Sequence, residues 1–355
     1  MSTFVPSLSM RFRWLSLFCC IGVLLIHSIT FFTVSNVSWG NLAFQHFVSN
    51  ALVRFAVPCF FVIAGYWFYC SEMSAKRSYN DMMLRKLKSL VVPYLAWGGI
   101  GVVLLLPLVL LNNYIQHRSL FERTFLCKPF GVDMIDQLVG VTYPCPWGCS
   151  PLWFVRTLAL IFVVSPIVSR AIVKGFLGFL IGMIVVWLGQ MGHVEYLSVN
   201  ISYLGWFYIG AWICKENMES MEIPRVVTVI SLMGWWLSAI VIAVLRLKGF
   251  GADAHVVKGC LDILSVCAVI SLWCITGRLG NPPIAADVLF FIYCFHQFPV
   301  RWFISTWYFL FGKTNLTVFC GYCLCPCFAM ISCLVVSSFL KKRIPPFFKP
   351  LTGWR

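Results

Sequence analysis

Charged residues are scarce in this chain of 355 residues: Asp, Glu, Lys and Arg together make up 11% of it, and only 12 residues are acidic. Soluble domains carry about 25% charged residues, so this composition excludes an ordinary soluble protein. Instead, 60% of the residues are hydrophobic and the mean hydropathy is +0.87. We therefore expect an integral membrane protein.

Several familiar signatures are also missing. No Walker loop, HExxH or GxSxG motif occurs, which removes the simplest indications of a nucleotide hydrolase, a zinc protease or a serine hydrolase. Arg11 and Arg13 precede a hydrophobic run that is too long for the core of a signal peptide, so we expect an uncleaved first span. The cysteines between Cys320 and Cys327 have metal-like spacing, but no His or acid lies nearby, and we expect no metal site.

Long apolar runs predict one all-α, polytopic membrane domain over residues 1–355, a bundle of about ten transmembrane helices. The predicted spans are 14–35, 46–70, 90–112, 151–172, 175–191, 200–214, 225–246, 258–277, 284–308 and 315–340. With the N-terminus placed in the cytoplasm, the inner segments hold more than twice as many Lys and Arg residues as the outer segments. This asymmetry predicts that both termini are cytoplasmic. The net charge of +15 then reflects topology, and we expect no nucleic-acid partner.

The long outer loop, residues 113–150, is expected to cover a site, because a simple connector is usually much shorter. It contains Cys127, Cys145 and Cys149, of which one pair would form a disulfide if that face of the membrane is oxidising.

The inner loop, residues 71–89, predicts a short basic amphipathic helix that carries Arg85, Lys86 and Lys88. Two interpretations are open. The helix lies on anionic lipid headgroups and orients the neighbouring spans, or it binds a phosphorylated cytosolic donor.

A histidine lies near the middle of the first predicted span, where an ionisable side chain is costly. His27 is roughly 20 Å from the inner end of that span at the helical rise. Arg54 in the second span and His296 in the ninth fall at a similar depth, in the outward half of the bilayer. Either these are unrelated residues bonded to neighbouring helices, or they share a polar cavity, and the common depth favours the cavity.

The chemistry of such a cavity can be narrowed. Only Asp262 and Asp287 lie within the predicted spans, and both are near span ends, so we expect no carboxylate in the layer of His27. Two histidines and an arginine without a carboxylate are poorly suited to proton-coupled transport. A neutral histidine can instead take a proton from a hydroxyl, while a guanidinium stabilises a developing oxyanion.

Five segments together resemble the acyltransferase-3 family of membrane acyltransferases, and they occur in the family's order over most of the chain. They are Gly22-Val-Leu-Leu-Ile-His27-Ser28, Arg54-Phe-Ala-Val-Pro58-Cys-Phe-Phe-Val-Ile-Ala-Gly65-Tyr66, Arg85-Lys-Leu-Lys88-Ser-Leu-Val-Val-Pro93-Tyr94-Leu-Ala-Trp97, Pro151-Leu-Trp-Phe-Val-Arg156 and Phe291-Ile-Tyr-Cys-Phe-His296-Gln297. The second of these resembles the family signature VPxFFxxSGY.

The resemblance implies transfer of an acyl group, commonly acetyl, from cytosolic acyl-CoA to a hydroxyl of a carbohydrate or another envelope-linked acceptor. It implies a bacterial inner membrane, and it makes His27 the catalytic residue. Two positions depart from the family. Ser16 stands where many members have an arginine, with Arg13 about one turn earlier on a nearby face, and Ala64 replaces the signature serine, which excludes a nucleophilic serine there.

On this interpretation His27 is the general base, while Arg54 or His296 polarises the carbonyl or orients the acceptor. The enzyme holds no bound cofactor, and acyl-CoA is a substrate whose anionic groups lie near four basic residues: Arg13, Arg85, Lys86 and Lys88. Membrane lipids surround the bundle. Two other classes stay open, a transporter or flippase of a lipid-linked or sugar substrate and a sensor whose inner loop binds a partner. The first would show repeat symmetry, which we do not find in the sequence, and the second leaves the His27 layer unexplained.

Overall fold

The computed structural model describes residues 8–29, 37–73, 79–115, 117–122, 126, 131–140, 148–191, 200–217 and 223–354. Within these ranges the chain folds into helices and turns and contains no β-strand, which confirms the predicted all-α class. The helices are α1 (Leu8–His27), α2 (Trp39–Phe47), α3 (Ala56–Met73), α4 (Tyr79–Ile115), α5 (Val132–Val139), α6 (Leu152–Ala171), α7 (Gly175–Met191), α8 (Ser202–Lys215), α9 (Arg225–Leu247), α10 (His255–Thr276), α11 (Ala286–Phe295), α12 (Gln297–Phe311), α13 (Asn315–Arg343) and α14 (Pro345–Leu351). A π-helical turn, Val48–Leu52, follows α2.

Seven stretches of the described chain are long and apolar enough to cross a membrane. They are α1, the run Trp39–Ser71, Met83–Leu111 of α4, α6, α9, α10 and α13. The bent pair α11 and α12 supplies an eighth span if it is taken as one. Helices α7 and α8 occupy the two other predicted spans, but they have 17 and 14 residues, fewer than the roughly 20 of a typical span. The count of ten and the cytoplasmic termini therefore stay predictions.

The first helix differs from the sequence prediction at both ends. It begins at Leu8 and ends at His27, so His27 is the last residue of α1 and not the middle of a span. The reason is local. The backbone N–H of Ser28 still makes the regular helical bond to the carbonyl of Leu24, at 3.0 Å, but its hydroxyl donates to the same carbonyl at 2.7 Å, and a side chain of this kind weakens and bends the end of a helix.

The basic inner segment is not a separate short helix, as the sequence had suggested. Arg85, Lys86 and Lys88 lie in the first turns of α4, which continues without a break into the membrane over 37 residues. The helix also continues through Pro93. Arg85, Lys86 and Lys88 therefore belong to a helix that is long and apolar enough to cross a membrane, and they do not lie on a separate surface loop.

Helices α3 and α8 pack against each other at very short range. A Cβ atom on Gly65 would overlap the carbonyl of Phe207, and one on Gly210 would overlap the carbonyl of Val62. Small residues of this kind let two membrane helices touch along their backbones. Helix α3 borders both cavities described below, and α8 borders the one that is lined by His27.

The structure places the disulfide between Cys70 in α3 and Cys214 in α8. The sequence prediction did not include this pair, and it placed a bridge in the outer loop only if that face of the membrane is oxidising. There, the buried thiol of Cys149 donates to the carbonyl of Cys294, with sulfur and oxygen 3.6 Å apart. Cys127 and Cys145 lie outside the described residues.

The C-terminal segment folds back against α4. The indole N–H of Trp97 donates to the carbonyl of Leu351 at 3.0 Å, and Phe348 of α14 packs on Phe291 with ring centroids 5.6 Å apart. In the same region the amine of Lys88 lies 5.4 Å from the ring centroid of Trp354. The tail therefore covers one side of the basic end of α4.

Candidate active site

His296 lies at a break in a span, where α11 and α12 meet at a bend of 47°. Its Nδ1 is 2.7 Å from the carbonyl oxygen of Tyr293 and 3.3 Å from that of Ile292. A carbonyl oxygen can only accept, so Nδ1 carries the proton and Nε2 of the neutral ring carries the lone pair. His296 is fully buried, and within the described part of the chain Nε2 has no hydrogen-bond partner. The ring is thus held in one tautomer.

His27 faces this buried histidine from the end of α1. The two ring centroids are 5.1 Å apart and the rings are tilted by 42°. His27 itself is exposed, and it lines a cavity of about 510 Å³, which we call the outer cavity. The sequence predicted that these two histidines lie together, and the structure confirms their proximity. Their catalytic roles stay predictions.

Arg54 lines the same cavity, as its predicted depth implied. It follows the π-helical turn, a feature that often marks functional sites. Its Nε donates to the carbonyl of Ser49 at 3.0 Å, and its Nη2 donates to Oδ1 of Asn50 at 2.7 Å. The amide nitrogen of Asn50 lies 2.9 Å from Nδ1 of His46. These contacts fix the guanidinium at the wall of the outer cavity.

The π-helical turn is also tied to two other helices. The hydroxyl of Ser49 donates to the carbonyl of Leu25 in α1 at 2.6 Å. The hydroxyl of Tyr322 in α13 lies 2.7 Å from the same Ser49 oxygen. Since Ser49 has a single proton, Tyr322 is the donor in the second bond. The junction holds the end of α1, and hence His27, against the turn that carries Arg54.

The outer cavity contains acids, contrary to our expectation from the sequence. Asp262 and Asp253 line it together with His27 and Arg54. Asp262 lies about two turns into α10, which had suggested a position outside the reactive layer. The prediction was wrong because distance from a helix end does not say how deeply a cavity reaches into the bundle.

A second cavity, which we call the inner cavity, has a volume of about 640 Å³. It is lined by Arg13 of α1 and by Arg85 and Lys86 of α4, and no acid occurs among its described lining residues. Ser16 also lines it, which confirms that Ser16 and Arg13 share one face of α1.

Lys88 is not brought to the inner cavity with the other three predicted donor-binding cations. Its amine lies over the ring of Trp354, and it is absent from the cavity lining. Arg85 and Lys88 are three residues apart and therefore lie on neighbouring positions of one helix face, so it is the contact with Trp354, and not the helical periodicity, that places the Lys88 amine outside the cavity. Donor binding by Lys88 stays a prediction, and its position gives it no support.

Tyr293 lines both cavities, so its side chain lies between them. Its hydroxyl donates to the carbonyl of Pro151 at 2.8 Å. Next to this contact, the backbone N–H of Ser150 donates to Oε1 of Gln297 at 2.8 Å. The described end of the long outer loop thus packs on the break at His296, in agreement with the prediction that this loop covers a site.

Sequence reasoning missed several residues of the site. Asp262 could have been identified from the sequence, because an acidic residue within a predicted span usually belongs to a functional site. Tyr293 was harder to identify, since the only indication was its place one helical turn before the predicted site residue His296. Asn50 gave none, because its role depends on a π-helical turn that the apolar pattern does not encode.

Comparisons with known proteins agree with this geometry. The sequence profile of the acyltransferase domain family known as acyltransferase-3 matches residues 12–337. The chain is 23% identical over 354 residues to the succinoglycan biosynthesis protein ExoH of Rhizobium meliloti (strain 1021), covering 94% of this chain and 90% of that protein. No solved structure shows a significant match. Because the family profile spans most of the chain, and because the fold is a bundle of apolar helices, the chain belongs to the acyltransferase-3 family and is an integral membrane acyltransferase.

Proposed function

We propose that the enzyme transfers an acyl group, acetyl being the simplest, from acyl-CoA in the inner cavity to a hydroxyl of a polysaccharide in the outer cavity. The observation that carries this proposal is the pair of cavities with different linings on either side of Tyr293, beside His27 and His296. A relative named for succinoglycan biosynthesis supports a polysaccharide acceptor. The bacterial inner membrane is the corresponding location, with the inner cavity open to the cytosol.

The inner cavity suits a polyanionic donor. Arg13, Arg85 and Lys86 lie around it, and cations of this kind bind phosphate groups by charge and by hydrogen bonding. Its other walls are largely apolar and include Ala64 in place of the family's serine. An uncharged pantetheine arm fits such walls, so the thioester would extend towards Tyr293.

The outer residues suit the chemical step. His27 takes the proton of the acceptor hydroxyl while that oxygen attacks the thioester carbonyl, and Arg54 stabilises the oxyanion that forms. The intermediate then expels the CoA thiolate, which receives the proton from His27. The products are an ester and CoA thiol, so atoms and charge balance.

His296 acts behind His27 in this scheme. Its Nε2 lone pair has no partner in the described chain, and in the complex with the acceptor it would accept a hydrogen bond from one ring nitrogen of His27, which would leave the other nitrogen of His27 directed at the acceptor. The fixed tautomer of His296 and the short separation of the two rings support this arrangement. His296 is therefore a positioning residue, and His27 is the catalytic residue.

The proposal is tested with purified full-length protein, labelled acetyl-CoA and oligosaccharides of a bacterial exopolysaccharide. We expect release of CoA thiol together with label that becomes bound to the saccharide and is removed by mild alkali, as for an O-ester. The His27→Ala variant, checked for insertion and thermal stability, should show neither. Labelled saccharide at the parent level in that variant would contradict the mechanism, and absence of any acetyl-CoA consumption by the parent would contradict the donor assignment.

A further inference from the structure

The outer cavity contains a set of side chains that the acyl-transfer chemistry does not use. Asp262 projects from α10, and Trp153 and Tyr203 come from α6 and α8. We infer that these three residues hold one neutral sugar ring of the acceptor, with Asp262 accepting hydrogen bonds from two ring hydroxyls. The inference rests on the proposed function for the identity of the acceptor, and it names the residues that recognise it.

Asp262 has unused acceptor capacity. It is 7% exposed and lines the cavity. Within the described part of the chain its one hydrogen bond is long, 3.4 Å from the amide nitrogen of Gln190. Lys258 lies one turn earlier, but its amine donates to the backbone carbonyl of Gln190 at 2.8 Å and forms no ion pair with Asp262.

A buried carboxylate with so few partners is costly unless something satisfies it. Its two oxygens can accept about four hydrogen bonds, and hydroxyl donors form short, strong bonds to an ionised carboxylate. A pair of neighbouring sugar hydroxyls would fill this capacity. A bound cation is a less suitable partner, because Lys258 and Arg54 line the same cavity.

The aromatic side chains supply a surface for the ring. Trp153 and Tyr203 are half-buried, with ring centroids 5.3 Å apart and planes tilted by 40°. Tyr203 is also stacked on Phe61, at 4.7 Å and 18°, so its orientation is fixed. A sugar ring has apolar C–H faces and a polar edge, and rigid aromatic rings with a few placed polar groups bind such molecules well.

The same arrangement explains why a ring would be held in a reactive position. His27 and Arg54 lie on the wall of this cavity. With two hydroxyls held by Asp262 and one face on the aromatic rings, a further hydroxyl of the ring can reach His27. A carboxylate on the edge of the ring that faces Asp262 would be repelled by it and could donate no hydrogen bond to it, so this part of the site favours a neutral ring.

The test is a binding measurement that needs no acyl donor. Purified full-length protein is titrated with methyl β-glucoside, methyl β-galactoside and methyl β-glucuronide, and binding is followed by saturation-transfer NMR. We expect saturable binding of at least one neutral glycoside and at least tenfold weaker binding of the glucuronide. Asp262→Asn and Trp153→Leu should each raise the Kd of the neutral glycoside about tenfold or more, as expected for loss of a charged hydrogen-bond acceptor or of the stacking surface.

Matched controls separate recognition from folding. Asp287→Asn changes the same side chain at the start of α11, where it pairs with Lys341 at 2.5 Å and lines neither cavity. Trp187→Leu removes an exposed tryptophan of α7. Both should leave the Kd unchanged. If Asp262→Asn does not fold, Asp262→Glu keeps the charge but shifts it by one methylene, and it should still weaken binding severalfold.

The outcomes distinguish this inference from the proposed function. Unchanged glycoside binding in the folded Asp262 variants, or no binding of any neutral glycoside by the parent, would overturn the inference even if acyl transfer to polysaccharide is demonstrated. Glycoside binding that depends on Asp262, in a protein that never consumes acetyl-CoA, would support the inference and refute the proposed donor chemistry.

Discussion

The two cavities differ in the way that they can hold a ligand. The inner cavity combines three cations with largely apolar walls and has no acid in its described lining. The outer cavity combines two acids, two cations, a histidine and several aromatic rings. The first arrangement recognises negative charge, and the second recognises hydroxyl groups and a flat ring. The difference supports our proposal that the donor binds on one side of the bundle and the acceptor on the other.

The comparison also shows why the reaction belongs at the junction. Tyr293 lines both cavities, and the two histidines lie beside it at the end of α1 and at the break between α11 and α12. Residues on the outer side of the junction should therefore control turnover. Residues at the mouth of the inner cavity should control donor affinity. The predictions below test that division.

The largest effect is expected for His27→Ala. Loss of the general base should lower kcat about 10³-fold, near the middle of the usual range for acid–base catalysis, with little change in donor binding. Steady-state transfer and equilibrium binding of acetyl-CoA are measured together. His255→Ala, at an exposed position where α10 begins, is the control and should stay within about twofold of the parent. A His27→Ala variant that folds and keeps most of its turnover would remove the base from the mechanism.

Arg54 should come next. Arg54→Gln removes the charge that meets the oxyanion and should lower kcat about 10²-fold. Arg54→Lys keeps a charge but cannot bond Ser49 and Asn50 with the same planar fork, so it should also lose at least about tenfold. Thermal unfolding is recorded for both, and Arg225→Lys on the exposed start of α9 serves as the matched control. If both variants fold and turn over like the parent, Arg54 is a structural residue.

A smaller loss is expected for His296→Ala. Because His296 orients His27 and does not itself take the proton, kcat should fall about tenfold, well short of the loss in His27→Ala. The double variant should then be no slower than His27→Ala alone, since a positioning residue has nothing left to position. Equal losses in the two single variants would show that the histidines act as one unit.

The smallest effect on turnover is expected at the inner cavity. Changing Arg85 and Lys86 together to Gln should raise the KM for acetyl-CoA about tenfold, because two partly exposed ionic contacts are lost, while kcat stays within about twofold. Lys88→Gln is a close control, since its amine lies over Trp354 and outside the cavity. Topology is checked in both, because these charges also orient the neighbouring spans. An unchanged donor KM in the correctly inserted double variant would reduce this cationic end of α4 to an orienting role.

The sequence predicted the class of fold and the proximity of His27 to Arg54 and to His296, because apolar run length and buried ionisable residues are strong signals in a membrane protein. His296 itself is not among the residues that line the outer cavity. The sequence did not predict that α1 ends at His27, where the hydroxyl of Ser28 shares the carbonyl of Leu24 with the last helical N–H, because the apolar pattern does not encode such a contact. The depth argument still succeeded because it compared residues on neighbouring helices.

The break at His296 comes just before Pro299, which has no N–H to donate to the carbonyl of Phe295 and so weakens the helix at this point. The apolar pattern alone, however, predicts one straight span there.

Other features depend on contacts between distant parts of the chain. Asp262 was judged by its distance from a helix end, whereas its role follows from the way that α10 borders the outer cavity. Lys88 was grouped with Arg85 by sequence, and only the position of Trp354 shows that its amine is held outside the cavity. Such facts are set by tertiary packing and have no local pattern.

The central claim, that donor and acceptor reach His27 from opposite sides, is tested most directly by the sidedness of transfer. The full-length protein is reconstituted into sealed vesicles, and its orientation is determined by protease accessibility. Labelled acetyl-CoA and a membrane-impermeant oligosaccharide are then supplied on the same side or on opposite sides. The account predicts labelled saccharide only when acetyl-CoA is on the side of Arg85 and Lys86 and the saccharide is on the other side. Efficient transfer with both substrates on one side of intact vesicles would contradict it.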